Sequence, residues 1–209
     1  NSPIKLRMSL FKKLFGSKQK QEASGTGTDQ RGKFMPEIKL PTDEKFTINF
    51  KKNGGKFLYC DSIEEIYDCF NSILSENNWT QEQVCCIDSK LSTTFQKYNF
   101  SKSNTCQNAT LLLSPCENLV ADNGAILISS NQIKESKLND LPDNFIIFAT
   151  TSQLVDTIGE GLRGIKNKNK NQIPTNITTI KHFSIKEEND FLTYGSSSKN
   201  LYLLLLEDL

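Results

Sequence analysis

Lys56-Phe57-Leu58-Tyr59-Cys60-Asp61-Ser62-Ile63-Glu64-Glu65-Ile66 passes from one kind of backbone to another within a single short run. Residues 56–60, entered through Gly54-Gly55, read as a strand. Ser62 to Glu65 then reads as a capping box, in which the serine oxygen accepts an orphan backbone N–H and the glutamate reaches back to the cap. Ile63, Ile66, Phe70, Ile73 and Leu74 follow at helical spacing and predict an amphipathic helix.

The same alternation extends outward. Residues 84–87 and 109–113 read as short strands, and 119–128 as two strands joined at Asn123-Gly124, where glycine accepts positive φ and asparagine tolerates it. Residues 145–149 form a buried-strand run. Thr151 or Ser152 is predicted to cap a helix that carries Leu154, Val155, Ile158 and Leu162 on one face. Residues 166–172 read as a solvated basic loop, and 177–180 and 201–206 as the last strands, with a further capping box between them at Ser184 and Glu187. Strands alternating with helical patterns predict an α/β fold with a single open mixed sheet flanked by helices.

At 209 residues the chain is long enough for one domain with a proper core. Residues 17–41 are rich in Lys, Gln, Ser, Gly and Thr and too poor in apolar side chains to offset the entropy of ordering. The predicted division is a flexible N-terminal arm at 1–45 and an α/β domain at 46–209. With 25 basic and 24 acidic residues and a net charge of +1, no global field draws in nucleic acid. No apolar run approaches the ~18 residues needed to span a bilayer. Leu10-Phe11-Lys12-Lys13-Leu14-Phe15 separates apolar from basic residues at helical spacing, yet one or two turns bury too little for stable membrane insertion. Two lysines in that run also argue against a secretory signal. The expectation is a cytoplasmic protein whose six cysteines are reduced thiols.

Candidate chemistry is sparse. Gly159-Glu160-Gly161-Leu162-Arg163-Gly164 matches the spacing of a dinucleotide fingerprint, which must follow a strand and open a helix. Here it is predicted to close a helix and run into the Lys/Asn loop, so a glycine-rich stop is the better reading. The cysteines contain no C-x-x-C pair and His182 stands alone, so neither a metal nor a cofactor is expected. Cys85 and Cys86, adjacent in a strand, point to opposite faces. Ser114, in Ser114-Pro115-Cys116-Glu117-Asn118, joins a strand end to the next element, where open α/β sheets place ligands, although an ordinary turn initiated by Ser-Pro is the better reading. Asp122, Asn123 and Gly124 set a carboxylate and an amide beside bare backbone. No catalytic acid and base pair is recognisable.

Ala121-Asp122-Asn123-Gly124-Ala125-Ile126-Leu127-Ile128, Leu141-Pro142, Phe145-Ile146-Ile147-Phe148 with Gln153-Leu154-Val155, and Asn200-Leu201-Tyr202-Leu203-Leu204-Leu205 occur in an order that resembles the lactate-utilisation (LUD) domain of the LutC/YkgG type. The resemblance covers roughly 46–209. It implies a fold related to the CoA-transferase and ribose-phosphate-isomerase superfamily, and a cluster-free accessory subunit that works with iron–sulfur subunits oxidising L-lactate. It also implies a pocket near Asp122, Asn123, Gly124 and Ser184 for a small anionic ligand or a partner loop. Where the family has Ala-Glu-Thr-Gly this chain has Ala121-Asp122-Asn123-Gly124, and His182-Phe183-Ser184 stands for Gly-Pro-Ser. An enzyme or binding protein for a CoA ester, folate or sugar phosphate is the alternative suggested by the superfamily.

Overall fold

Three apolar strands, Leu111–Pro115 (β3), Asn144–Thr150 (β6) and Asn200–Leu206 (β9), lie side by side at the centre of the molecule. The computed structural model describes residues 40–100, 106, 109–183 and 199–208, all within the compact unit Leu40–Leu209. Lys56–Cys60 (β1) and Val84–Cys85 (β2) complete a parallel sheet, sheet A, in the order β1-β9-β6-β3-β2. Asn118–Val120 (β4), Ala125–Ile128 (β5), Leu154–Val155 (β7) and Thr178–Ile180 (β8) form a mixed sheet, sheet B, in the order β7-β4-β5-β8. The α/β architecture is therefore present, with an open mixed sheet beside an open parallel one.

Near-continuous apolar runs suit strands buried on both faces. Leu112, Phe145, Ile147, Leu201, Leu203 and Leu205 face a core shared with Leu119, Ile126 and Ile128 of sheet B. Their alternates Leu111, Leu113, Ile146, Tyr202 and Leu204 face the helices Ile63–Glu76 (α2) and Ser89–Thr94 (α3), through Ile66, Phe70, Ile73 and Leu91. The outer face of sheet B carries Val120 and Leu127 against Ile165 of the helix Ile158–Lys168 (α5). The short helix Ser130–Ile133 (α4) follows β5.

Helix Thr42–Lys52 (α1) crosses the expected boundary at 46 and buries Phe46 and Phe50 in the inter-sheet core. Residues 1–39 of the predicted arm lie outside the described residues. So do Ser184 and the capping box drawn on it. The α2 cap is close to expectation: Ser62 accepts from Glu65 N at 3.2 Å, while the Glu65 carboxylate reaches Asp61 N at 2.9 Å, one residue before the cap.

Three readings are corrected. Cys85 and Cys106 form a disulfide with a Cα–Cα distance of 5.5 Å, so the cysteines are not all free thiols. Leu154 and Val155 belong to β7, paired with Leu119 and Val120, and not to a helix. The helix starts at Ile158 with Thr157 as its cap, so the glycine-rich motif opens α5 and does not close it. Nucleotide binding is still disfavoured, on other grounds. Gly161 serves packing, since a Cβ there would lie 2.8 Å from Leu127 Cδ1, and the helix start is occupied by Asp156 and Glu160, whose charge opposes a phosphate.

Candidate functional site

The sequence directs attention first to the β4–β5 turn. The antiparallel hairpin forms as expected, with Gly124 at φ +64°. Helix α1 lies directly on it. Asn49 Nδ2 donates to the carbonyls of Ala121 (2.8 Å) and Asp122 (3.2 Å), and Asn53 Nδ2 donates to that of Asn123 (2.7 Å). The Asn123 side chain accepts from Ala125 N at 3.1 Å and so stabilises its own turn. Asp122 pairs with Lys45 of α1, both side chains being more than a third exposed. An exposed pair of this kind contributes at most about 1 kcal/mol. Phe183 packs on Phe50 with ring centroids 4.7 Å apart. Bare backbone at the turn thus receives a helix of this chain.

A second polar assembly lies where the parallel strands of sheet A end. Ser114 is there, 2% exposed, its hydroxyl donating to the Pro115 carbonyl at 3.0 Å. Two residues beyond β3, Glu117 Oε1 accepts from Ser129 Oγ (2.6 Å), Asn131 Nδ2 (2.9 Å) and Gln132 Nε2 (3.1 Å). The capping box of α4 holds those donors in place, because Ser129 N also donates to Gln132 Oε1. Among the described residues no donor to the other carboxylate oxygen is present, so an oriented carboxylate keeps acceptor capacity.

Gln153 joins this group to the end of β6. Its Oε1 accepts from Thr150 N at 2.8 Å, and its Nε2 donates to the Cys116 carbonyl at 2.6 Å and the Glu117 carbonyl at 3.3 Å. Beyond β9, Asp208 accepts from Thr151 Oγ1 (2.8 Å), Ser152 N (2.9 Å) and Ser152 Oγ (2.7 Å). Partial burial raises the Asp208 carboxyl, but the bonds from Ser152 and Thr151 outweigh it and hold the group below its ordinary value. A depressed carboxyl stabilises the fold above its unfolded pKa, and that contribution is lost as pH falls through the folded value. Asp208→Asn is therefore expected to be less stable than the parent at pH 6, with the gap closing toward pH 3; urea midpoints at the two pH values measure it, and a gap that widens in acid contradicts the assignment.

Among the described residues that directly follow the strands of this edge, the charge is of one sign. The segments that follow the five strands, 61–62, 86–88, 116–117, 151–153 and 207–208, hold Asp61, Asp88, Glu117, Glu207 and Asp208 and no lysine or arginine. Burial and the nearby Glu117 charge push the Cys116 thiol far up, which leaves it a protonated, inert sulfur there. Among the described residues no group of three or more His, Cys, Asp or Glu side chains is placed to hold a metal ion. Of the residues singled out in the sequence, Ser114 belongs to this edge, whereas Asp122, Asn123 and Gly124 belong to the α1 contact. Glu117 lies in the Ser114–Asn118 stretch singled out by sequence but was given no role there, and Gln153 and Asp208 carried no site expectation. Their only signal was a position just past a buried strand.

Comparison with known proteins agrees with the fold. A family model described as LUD domain matches residues 100–206, just over half of the chain. Among solved structures, the chain is similar to a DUF162 family protein from Deinococcus radiodurans, with a TM-score of 0.53 and 12% identity over 81% of this chain and 100% of that one, a likeness of fold alone. No curated protein matches. No helix among the described residues is long and apolar enough to cross a membrane. The chain belongs to the LUD domain family, and that membership supports a role related to lactate utilisation.

Proposed function

We propose that the chain is a LutC-like accessory component of a cytoplasmic iron–sulfur L-lactate oxidation system, without a cluster of its own, that meets an iron–sulfur partner at the carboxylate-lined end of sheet A. Family membership supports the pathway. The observation that favours a partner over a phosphate-bearing substrate is the charge of the edge. A phosphate 4 Å from one of these carboxylates would be repelled by about 1 kcal/mol even at the dielectric of water, and by more where water is excluded. An amide, lysine or arginine of a partner segment would meet well-placed acceptors in Glu117 and Asp208.

The same charge argues against a small anionic ligand at this edge. It also disfavours the alternative, a CoA ester, folate or sugar phosphate, whose phosphate would need a basic cradle. Of the Lys166–Lys170 stretch that could supply one, Lys166 and Lys168 stand in the last turn of α5. The proposed fold relation to the CoA-transferase and ribose-phosphate-isomerase superfamily does not by itself bring catalysis, because one fold hosts many functions. Deletion of the gene is expected to slow growth on L-lactate and leave growth on pyruvate unchanged; equal growth of deletion and parent on L-lactate would overturn the proposal.

A further inference from the structure

The six cysteines fall into distinct environments. Cys85 and Cys106 are joined. Cys116 is buried beside the Gln153 amide, and the Cys86 thiol points at the Asp88 carbonyl at 3.5 Å, with burial pushing it up to about 12. Cys60 and Cys69 are different, since their sulfurs face each other at 3.6 Å. Cys60 ends β1, whose backbone is fixed by pairing with β9, and Cys69 lies in the second turn of α2. A disulfide requires the sulfurs to close from 3.6 Å to about 2.05 Å, and Cys69, on the helix and partly exposed, has more room to move than Cys60 in its paired strand. Among the free cysteines, this is the pair placed to bond.

We propose that Cys60 and Cys69 form a redox-active dithiol that a small-molecule disulfide such as oxidised glutathione converts to an intramolecular disulfide. Exposure sets the order of events. Cys60 is 1% exposed and its thiol is pushed up by burial and by Cys69, so the partly exposed Cys69 meets the reagent. The Cys69 thiolate attacks the small disulfide, and one thiolate leaves. Cys60 then gives up its proton and attacks the Cys69 sulfur of the mixed disulfide, and the second thiolate leaves. Two electrons and two protons pass from the protein to the reagent, which ends as two thiols.

The bond would tie the end of β1 to α2 next to the carboxylate edge, because Glu207 N donates to the Cys60 carbonyl at 2.9 Å. Oxidation would thereby fix the position of Asp61 and Glu207 relative to α2. Reduction by dithiothreitol would release them.

The test uses the folded 209-residue chain, equilibrated with oxidised glutathione, then acid-quenched, denatured and alkylated so that buried thiols are counted too. The count of alkylatable thiols is expected to fall from four (Cys60, Cys69, Cys86 and Cys116) to two. A protease that cuts after glutamate separates the sulfurs, so the new bond appears as peptide 45–64 linked to peptide 66–76, a species absent from Cys69→Ser. The Cys69→Ser chain should keep Cys60 unmodified, and its far-UV circular dichroism confirms that it is folded. Accumulation of a glutathione adduct on Cys69 without the linked peptide overturns the proposal, as does survival of both thiols.

Discussion

Gly124→Ala is expected to destabilise the domain by about 4 kcal/mol, as the sum of a left-handed backbone cost and an overpacking cost. Gly124 has φ +64°, a region that costs alanine energy wherever it occurs. The space is closed as well. A Cβ there would stand 2.3 Å from Phe50 N and 2.4 Å from Asn49 C, both backbone atoms of α1 that no side-chain rotation can move aside. Helix and hairpin would have to separate, breaking the Asn49 and Asn53 bonds to the turn carbonyls. Urea unfolding measures the loss, and a melting temperature lower by roughly 10 °C should accompany it. A change below about 1 kcal/mol would mean that α1 does not rest on the turn as described.

Phe50→Ala should have a comparable effect through the opposite side of the same contact, about 4 kcal/mol, as for other fully buried aromatic truncations. Phe50 is 0% exposed and its ring meets those of Phe46 at 5.3 Å, Phe183 at 4.7 Å and Phe57 at 6.5 Å. Aromatic pairs at these separations add stabilisation beyond the area they bury, and neighbouring rings on three sides leave little room for collapse into the cavity. Equilibrium denaturation again checks it. Asp122→Ala, in the same turn, should cost less than about 1 kcal/mol, because its pair with Lys45 is exposed on both sides. The contrast separates a glycine kept for close packing from a carboxylate at the surface.

Much of the architecture is readable from local pattern. The α2 cap and apolar face, the Asn123-Gly124 hairpin and the apolar runs at 145–149 and 201–206 are each decided within a few residues. Helix α1 is not, because Pro41 at its start supplies no side-chain cap and its two large apolar residues, Phe46 and Phe50, find their core only once the strands from distant parts of the chain assemble. Leu154 and Val155 fit a helical face by spacing, but pairing with Leu119 and Val120 and the turn closed by Gln153 decide otherwise. The Cys85–Cys106 bond spans 21 residues and leaves no spacing signature.

The candidate site was legible only in part, for the same reason. Ser114 could be suspected from its place at a strand end. Glu117 looks like any loop glutamate until Ser129, Asn131 and Gln132, fixed by a capping box on the far side of the β4–β5 hairpin, converge on one of its oxygens. The acidic character of the edge is likewise invisible in a chain whose total charge is nearly balanced. It emerges when parallel pairing brings five strand ends together.

Partner contact through that edge is most directly tested by affinity purification of the tagged full-length chain from cells grown on L-lactate, run in parallel with Glu117→Gln, which keeps Oε1 as an acceptor for the three donors while removing the charge. An iron–sulfur protein is expected to be recovered with the parent chain, its recovery falling with added salt and falling several-fold with Glu117→Gln while the fold is unchanged. Recovery of no iron–sulfur protein by the parent chain, or equal recovery by both chains, would contradict it.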